Sequence, residues 1–150
     1  MQLIKDQQII DNTWQYIADT EESKTGDISV SFARWQRDKQ QLLAHDGKLG
    51  VRISSSDNVD ELADDLQKVQ LIELDFPDFA DGRLFSQAWL LRGRYHYLGE
   101  LRAIGHYIPD QVFYLARVGV NAFSPRVSEE LPDIMTKLND FTVSYQSSIN

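Results

Sequence analysis

The sequence predicts an α/β protein in which about five parallel βα units form a partial TIM-barrel-like sheet, preceded by an N-terminal β-hairpin. Three observations predict it. Short alternating apolar runs centred near residues 30, 52, 73, 102 and 122 are separated by stretches of helical spacing. Steps of about 20–30 residues leave room for a helix between consecutive strands, which forces parallel pairing and right-handed crossovers. The strands also carry charge on one face, whereas a parallel sheet covered on both faces has strands that are apolar throughout.

The chain fits one domain of 150 residues. Residues 1–20 contain short apolar pieces broken by turn-like Asp6-Gln7 and Asp11-Asn12, a hairpin pattern. Residues 21–27, EESKTGD, form a solvated linker, and 28–126 hold the βα units. In GDISVSF, Ile28, Val30 and Phe32 alternate as in a strand. The helix ARWQRDKQQLLAHDG follows and is expected to stop at Gly47, because glycine accepts the left-handed cap. After the strand KLGVRIS comes SSDNVDELADDLQKV. Its Val59, Leu62, Ala63, Leu66 and Val69 form a helical stripe, and Asn58 with Glu61 has capping-box spacing.

The strand LIELDF leads to the helix DGRLFSQAWLLRGRYHY, with Asp81 as N-cap and Leu84, Ala88, Leu91 and Tyr95 on its apolar stripe. The strand GELRAIG precedes a short helix from Pro109 to Gly119, and NAFSP is the last strand. Residues 127–150 are a C-terminal segment with a helix over about 128–139 and an extended tail, FTVSYQ.

On the strands, Ile72, Leu74 and Phe76 oppose Glu73 and Asp75; Val51 and Ile53 oppose Arg52 and Ser54. Leu101 and Ala103 oppose Glu100, Arg102 and Ile104. An open doubly wound sheet would bury these charges beneath helices at a cost of several kcal/mol per unpaired ion. A barrel covers only the outside and leaves the inner face polar towards its mouth. The charges alternate in sign across consecutive strands, so they suit a structural ion-pair network as well as a site. Arg102 and Glu73 are expected to be partners. Too few strands are present to close a barrel, so the open edge needs the hairpin or a second subunit, which would make a homodimer through that edge.

Ligands of such sheets gather at the carboxyl ends of the strands. The candidate site therefore comprises Arg52, Glu73, Asp75, Asp78, Asp81, Arg83, Arg102, His106, Asp110 and Arg126. Asp81 and Asp110 equally suit helix starts. Arg92 and Arg94 fall late on their helix, off the apolar stripe, and are expected to face solvent. No residue is singled out as catalytic. Two strand carboxylates do not specify a metal, and His45, His96 and His106 lack zinc spacing, so no metal is assigned.

Cysteine is absent, which excludes thiol nucleophiles, disulfides and cysteine-held iron–sulfur clusters. Neither GxGxxG nor GxxxxGK[ST] occurs, so no glycine-rich nucleotide motif identifies a cofactor. The net charge of −8 argues against nucleic acid as a partner. That charge is uneven. Residues 83–126 hold six arginines against Glu100 and Asp110, a balance of +4 that leaves −12 on the remainder. Arginine's planar fork suits carboxylates, phosphates and partner surfaces. No apolar run approaches membrane-spanning length, and the N-terminus lacks a signal-peptide pattern, so a cytoplasmic protein without a membrane partner is expected.

The run FPDFADGRLFSQAWLLRGRYHYLGELRAIGHYIPDQVFYLARVGVNAF resembles a bacterial domain-of-unknown-function family. That family's block has the form FPxFxDGRxxSxAxLLRxR, then GELRAxG, DQ and ARxGxxAF. It is met from Phe76 through Arg83, Arg92, Arg94, Gly99, Arg102, Gly105, Asp110, Arg117 and Gly119 to Phe123. The likeness continues more weakly through SFARW and KLGVRI upstream and VSYQ downstream. Where the family often has GDVLRDQ this chain has GHYIPDQ, so His106 replaces an acidic residue and Pro109 a basic one. GRLFSQA stands where GRGYSQA is common. Genes of the family often lie beside that of assimilatory sulfite reductase, and its members are labelled probable oxidoreductases of sulfite reduction. The resemblance thus implies an accessory protein of sulfate and sulfur assimilation that assists sulfite reductase. It implies no catalytic or cofactor residue. The alternative is a stand-alone enzyme or binding protein acting on a small anionic ligand at the strand ends.

Overall fold

The computed structural model describes residues 1–78, 82–107 and 109–149, with side chains described as far as residue 140. Eight strands form one mixed sheet curled into a half-barrel. They are β1 (Gln2–Lys5), β2 (Gln8–Asp11), β3 (Gln15–Tyr16), β4 (Ile28–Ser31), β5 (Leu49–Ile53), β6 (Leu71–Phe76), β7 (Glu100–Gly105) and β8 (Ala122–Phe123). Their order is β2-β1-β8-β7-β6-β5-β4-β3. Neighbours from β3 to β8 pair parallel, whereas β1 runs antiparallel to both β8 and β2.

The N-terminal hairpin turns at Asp6 and Gln7, both at positive φ (50° and 66°), as a two-residue hairpin turn requires. It closes one side of the parallel sheet by laying Ile4 and Lys5 beside Phe123 and Ala122. The free edges are β2, whose four residues are all exposed, and the two-residue β3.

Helix α1 (Phe32–Leu43) starts where the Ser31 hydroxyl accepts the Arg34 N–H at 3.1 Å. It ends before Gly47, which lies beyond it in a turn at φ +142°. Residues Val59–Lys68 form a 3₁₀ stretch where an α-helix was expected. The burial pattern explains it. Val59, Leu62 and Asp65 turn inward at three-residue spacing, the 3₁₀ period, and Lys39 holds the Asp65 carboxylate at 2.6 Å. Asn58 caps this stretch by accepting from the Asp60 N–H at 2.9 Å.

Helix α2 (Arg83–Trp89) continues into a π-helical turn, Leu90–Arg94. Its expected N-cap, Asp81, lies outside the described residues. Leu84, Ala88 and Leu91 are fully buried against the sheet, as their stripe predicts. Helix α3 (Val112–Arg117) follows a 3₁₀ turn at Pro109–Gln111, and α4 (Leu131–Ile149) ends the fold. The stretch expected as an extended tail is the second half of α4. No glycine or proline interrupts the chain after Pro132, so the helix propagates through FTVSYQ despite its β-branched residues.

The main core lies between the helices and one sheet face. Val30, Val51, Ile53, Ile72, Leu74, Phe76 and Leu101 meet Trp35, Leu62, Leu84, Leu91 and Leu115 there. Each fully buried leucine or isoleucine contributes about 1.5–3 kcal/mol. Leu3, Leu71 and Ala122 are also buried but stand apart from this cluster, on the inner face of the curl.

Candidate functional site

Strand register sets the inner face. Pairing places Ser31, Arg52, Glu73, Arg102, Ala122 and Lys5 in one row across β4, β5, β6, β7, β8 and β1. Side chains alternate along strands, so these polar groups point away from the helices while Val51, Ile72 and Leu101 point into the core. The charges in the row are paired; Glu73 and Arg102 are buried, while Arg52 and Lys5 are partly exposed. Arg52 donates from Nε and Nη2 to the two oxygens of Glu73 at 3.3 and 3.2 Å, a fork-to-fork bridge. Its guanidinium also lies over the Tyr16 ring, 3.7 Å from the centroid. Burial pushes the Tyr16 hydroxyl pKa up, and the Arg52 charge opposes that shift.

Arg102, 2% exposed, binds Glu100 through Nε and Nη2 at 2.7 and 2.6 Å. Glu100 also takes Lys5 at 3.3 Å, and Arg102 reaches Asn12 Oδ1 at 3.2 Å. The expected Arg102–Glu73 pairing is thus replaced. The two residues are cross-strand neighbours, but Arg102 turns along its own strand to Glu100, two residues back on the same face. Glu73 is left to Arg52, which stays partly exposed and keeps some hydration. Two groups result: Tyr16, Arg52 and Glu73 link β3, β5 and β6, and Lys5, Asn12, Glu100 and Arg102 link β1, the segment after β2 and β7.

The rim residues do not converge in the same way. Asp75 is half-buried at the end of β6. Gly105 sits at φ +87°, where an added Cβ would lie 2.6 Å from the Phe76 carbonyl oxygen and 2.7 Å from an Asp75 carboxylate oxygen. His106 has an exposed side chain, and its N–H continues the ladder to the Phe76 carbonyl at 2.8 Å. Asp78 and Arg83 are exposed and each has a partner. Asp81 lies outside the described residues. Asp110 pairs with Lys137 at 3.2 Å, which ties the start of α3 to α4, and Arg126 is exposed. That carboxylate raises the Lys137 pKa.

Sequence reasoning found Arg52, Glu73, Asp75 and Arg102 through strand alternation. It missed Tyr16, Asn12 and Lys5, which reach the network only because the N-terminal segment folds against the parallel strands. It also left out Glu100, although alternation put that residue on the charged face. Gln87 Nε2 donates to the Ser54 carbonyl at 3.3 Å and to that of Asp57, while its buried Oε1 has no partner among the described residues.

Arg92, expected to face solvent, is half-buried and makes four hydrogen bonds. Nη1 donates to the carbonyls of Tyr97 and Gly99 at 2.7 and 2.8 Å, Nε to Gly119 at 2.9 Å, and Nη2 to Asn121 Oδ1 at 3.3 Å. Its pKa is lowered by burial. The cause of the misplacement is the π-helical turn, which rotates Arg92 towards the α3–β8 loop. Arg94 is exposed, as expected. Arg94 and Arg117 lie over the rings of Tyr95 and Phe113, 5.5 and 5.8 Å from their centroids. Trp89 and Tyr114 are 60% and 61% exposed on α2 and α3.

Among the described residues no group of three or more His, Cys, Asp or Glu could hold a metal ion, and no helix is long and apolar enough to cross a membrane. A family model described as a bacterial protein of unknown function, DUF934, matches residues 50–150. No curated protein matches the chain.

Proposed function

We propose an accessory binding role for this chain, which belongs to the DUF934 family of bacterial proteins of unknown function. The observation that carries this reading is the mutual pairing of the charged strand residues. Arg52 with Glu73, and Arg102 with Glu100 and Lys5, satisfy one another within the sheet. In this reading the sheet is a partial (β/α) barrel used as a scaffold, and its charged inner face is structural. Recognition falls to the outer helices. Trp89, Tyr114, Arg94 and Arg117 are of the residue types that dominate binding energy at protein interfaces, and both arginines already lie over rings.

The partner in this reading is sulfite reductase, which the resemblance implies, met in the cytoplasm during sulfur assimilation. The test is a pull-down from sulfate-grown cells with the wild-type chain and with a Trp89→Ala/Arg117→Ala variant, read by mass spectrometry. Capture of the reductase by the wild type, and its loss with the variant, is the expected result. Absence of every sulfur-assimilation protein from the wild-type eluate overturns the reading.

A second reading is favoured by one observation. The Arg52 side chain is 27% exposed on the inner face, and Arg83 at the start of α2 and Arg126 beyond β8 are exposed. A small anion such as sulfite, sulfate or phosphate would bind there, as a ligand or as the substrate of an enzyme. Isothermal titration against wild type and Arg83→Ala tests it, and no heat at millimolar anion removes it.

A further inference from the structure

Helices α2 and α3 differ in charge from the rest of the chain. The stretch 82–99, which holds α2 and its π-helical turn, contains no Asp or Glu, and neither does 111–123 around α3. The chain as a whole has 23 Asp and Glu for 15 Lys and Arg, so a cation without a carboxylate reflects placement and not supply. Arg34, Arg37, Arg52 and Arg102 each hold a carboxylate. Arg94 and Arg117 are exposed and hold none among the described residues; each lies over the ring of a near neighbour, Tyr95 and Phe113. The two arginines belong to one region of the surface. Arg92 Nε donates to the Gly119 carbonyl at 2.9 Å, and an added Cβ on Gly119 would strike Arg92 Cγ, so the ends of the two helical segments abut. Arg94 stands two residues beyond that contact and Arg117 two residues before it. Trp89 and Tyr114, 60% and 61% exposed, lie about one turn earlier on the same segments.

We propose that this α2–α3 surface receives an acidic segment of another protein, with carboxylates on Arg94 and Arg117 and an apolar side chain against Trp89 and Tyr114. The inference rests on the docking role proposed above and adds the chemistry of the surface that docks. Charge complementarity selects the occupant. Guanidinium forks without a carboxylate suit carboxylates, and a guanidinium already held over a ring has less freedom to lose on binding. Exposed aromatic side chains next to such arginines supply the apolar contact that charge alone does not. The 3₁₀ stretch bounds the surface on one side. Its Asp60 accepts from the Tyr95 hydroxyl, and Asp60, Glu61 and Asp64 make that flank acidic, so an acidic partner is favoured over α2 and α3 and repelled beyond them. A second copy of this chain is disfavoured, because a two-fold contact through one patch would set these arginines against their own copies. Nucleic acid is disfavoured as well. An extended polyanion would run from this patch on to a remainder of the chain that is strongly acidic.

Panning a phage-displayed library of random dodecapeptides on the full chain tests the proposal, with the selected peptides then titrated by fluorescence anisotropy. Selected sequences are expected to combine several Asp or Glu with a large apolar residue. Arg94→Glu/Arg117→Glu should weaken them by about tenfold or more, and Trp89→Ala by a similar factor, with unchanged far-UV circular dichroism because all three side chains are exposed. Affinity should fall as salt rises from about 0.05 to 0.5 M. Lys24→Glu/Lys48→Glu makes the same change in net charge at exposed lysines outside α2 and α3 and should leave binding intact. Selection of no peptide, or of neutral or basic ones, overturns the proposal. So does an acidic peptide that binds the Arg94→Glu/Arg117→Glu variant as well as the wild type, or one that the lysine control weakens equally. A labelled single-stranded DNA that binds the wild type and not the arginine variant overturns it in favour of nucleic acid. The docking role itself is read by capture of sulfite reductase. Capture that is lost with the Trp89→Ala/Arg117→Ala variant while no acidic peptide is selected keeps that role and removes this inference, and acidic peptides without capture do the reverse.

Discussion

Arg52 lies over the Tyr16 ring, 3.7 Å from its centroid, and binds Glu73 with the same guanidinium, so one cation joins the edge strand β3 to the centre of the sheet. Removing that cation leaves Glu73, 5% exposed, without its bridge. Arg52→Ala should cost about 2–4 kcal/mol, somewhat less than a fully buried pair because Arg52 keeps some solvent. Tyr16→Ala should cost about 0.5–1 kcal/mol for the lost stacking. Urea unfolding reads both. A cost for Arg52→Ala below that of Tyr16→Ala would show that the bridge does not hold Glu73.

Double-mutant cycles separate the two charge pairs. Arg102 with Glu100 should show coupling of about 1–3 kcal/mol, and Arg52 with Glu73 a similar value. Arg102 with Glu73 should couple more weakly than either, because each has another partner. The reverse ranking would restore the cross-strand pair that register alone suggests.

Leu91 is fully buried on α2. Leu91→Ala should cost about 2–5 kcal/mol in denaturant unfolding, the range for emptying a packed core position. A loss under about 0.5 kcal/mol, the level of an ordinary surface change, would place the stripe on the wrong side of the helix.

Gly119 sits at φ +105°, and an added Cβ would strike Arg92 Cγ. Gly119→Ala should therefore cost well over 1 kcal/mol, combining backbone strain with displacement of the arginine that holds Tyr97 and Gly99. Gly82, at φ −78° with nothing within 4 Å of an added Cβ, should accept alanine with no loss or a gain of up to about 1 kcal/mol. Thermal unfolding of the two variants should move in opposite directions or differ by several degrees.

Two buried tyrosines make the fold sensitive to alkali. Burial pushes the Tyr97 and Tyr107 hydroxyls far above the usual tyrosine pKa. In the unfolded chain both ionise near pH 10, whereas in the folded chain they keep their protons. The unfolded state then binds fewer protons, so stability is complete below about pH 10 and falls above it, by up to about 1.4 kcal/mol per pH unit per tyrosine. At neutral pH the two should differ. Tyr97→Phe should lose about 1 kcal/mol with its bond to Val69, while Tyr107→Phe should be neutral or stabilising, since that buried hydroxyl has no partner among the described residues. Urea titrations at pH 7 and across pH 9–11 test both statements. An unchanged alkaline slope in the double phenylalanine variant would refute the linkage.

The sequence by itself determined the alternation of strands and helices from β4 onward, the positions of β4 to β8 to within a residue or two, and the two faces of β5, β6 and β7; β3, inside the stretch read as a hairpin, was not foreseen as a parallel edge strand. These are local properties: side chains alternate with period two along a strand, and apolar spacing of three or four marks a helix. The Asp6-Gln7 turn was legible for the same reason. Only the tertiary structure decided which charges meet. Register makes Glu73 the neighbour of both Arg52 and Arg102, and the choice between them depends on Tyr16, Asn12 and Lys5, which arrive from residues far away in the chain. The 3₁₀ and π stretches were likewise hidden, because one hydrogen-bond step more or less is selected by packing, as at Asp65 and Arg92, and not by propensity. Composition placed a surplus of arginine in 83–126. Folding then sent Arg102 into the sheet and Arg92 to the carbonyls around Leu98, because these two guanidiniums go where buried acceptors would otherwise lack a donor, and it left Arg94 and Arg117 on the surface.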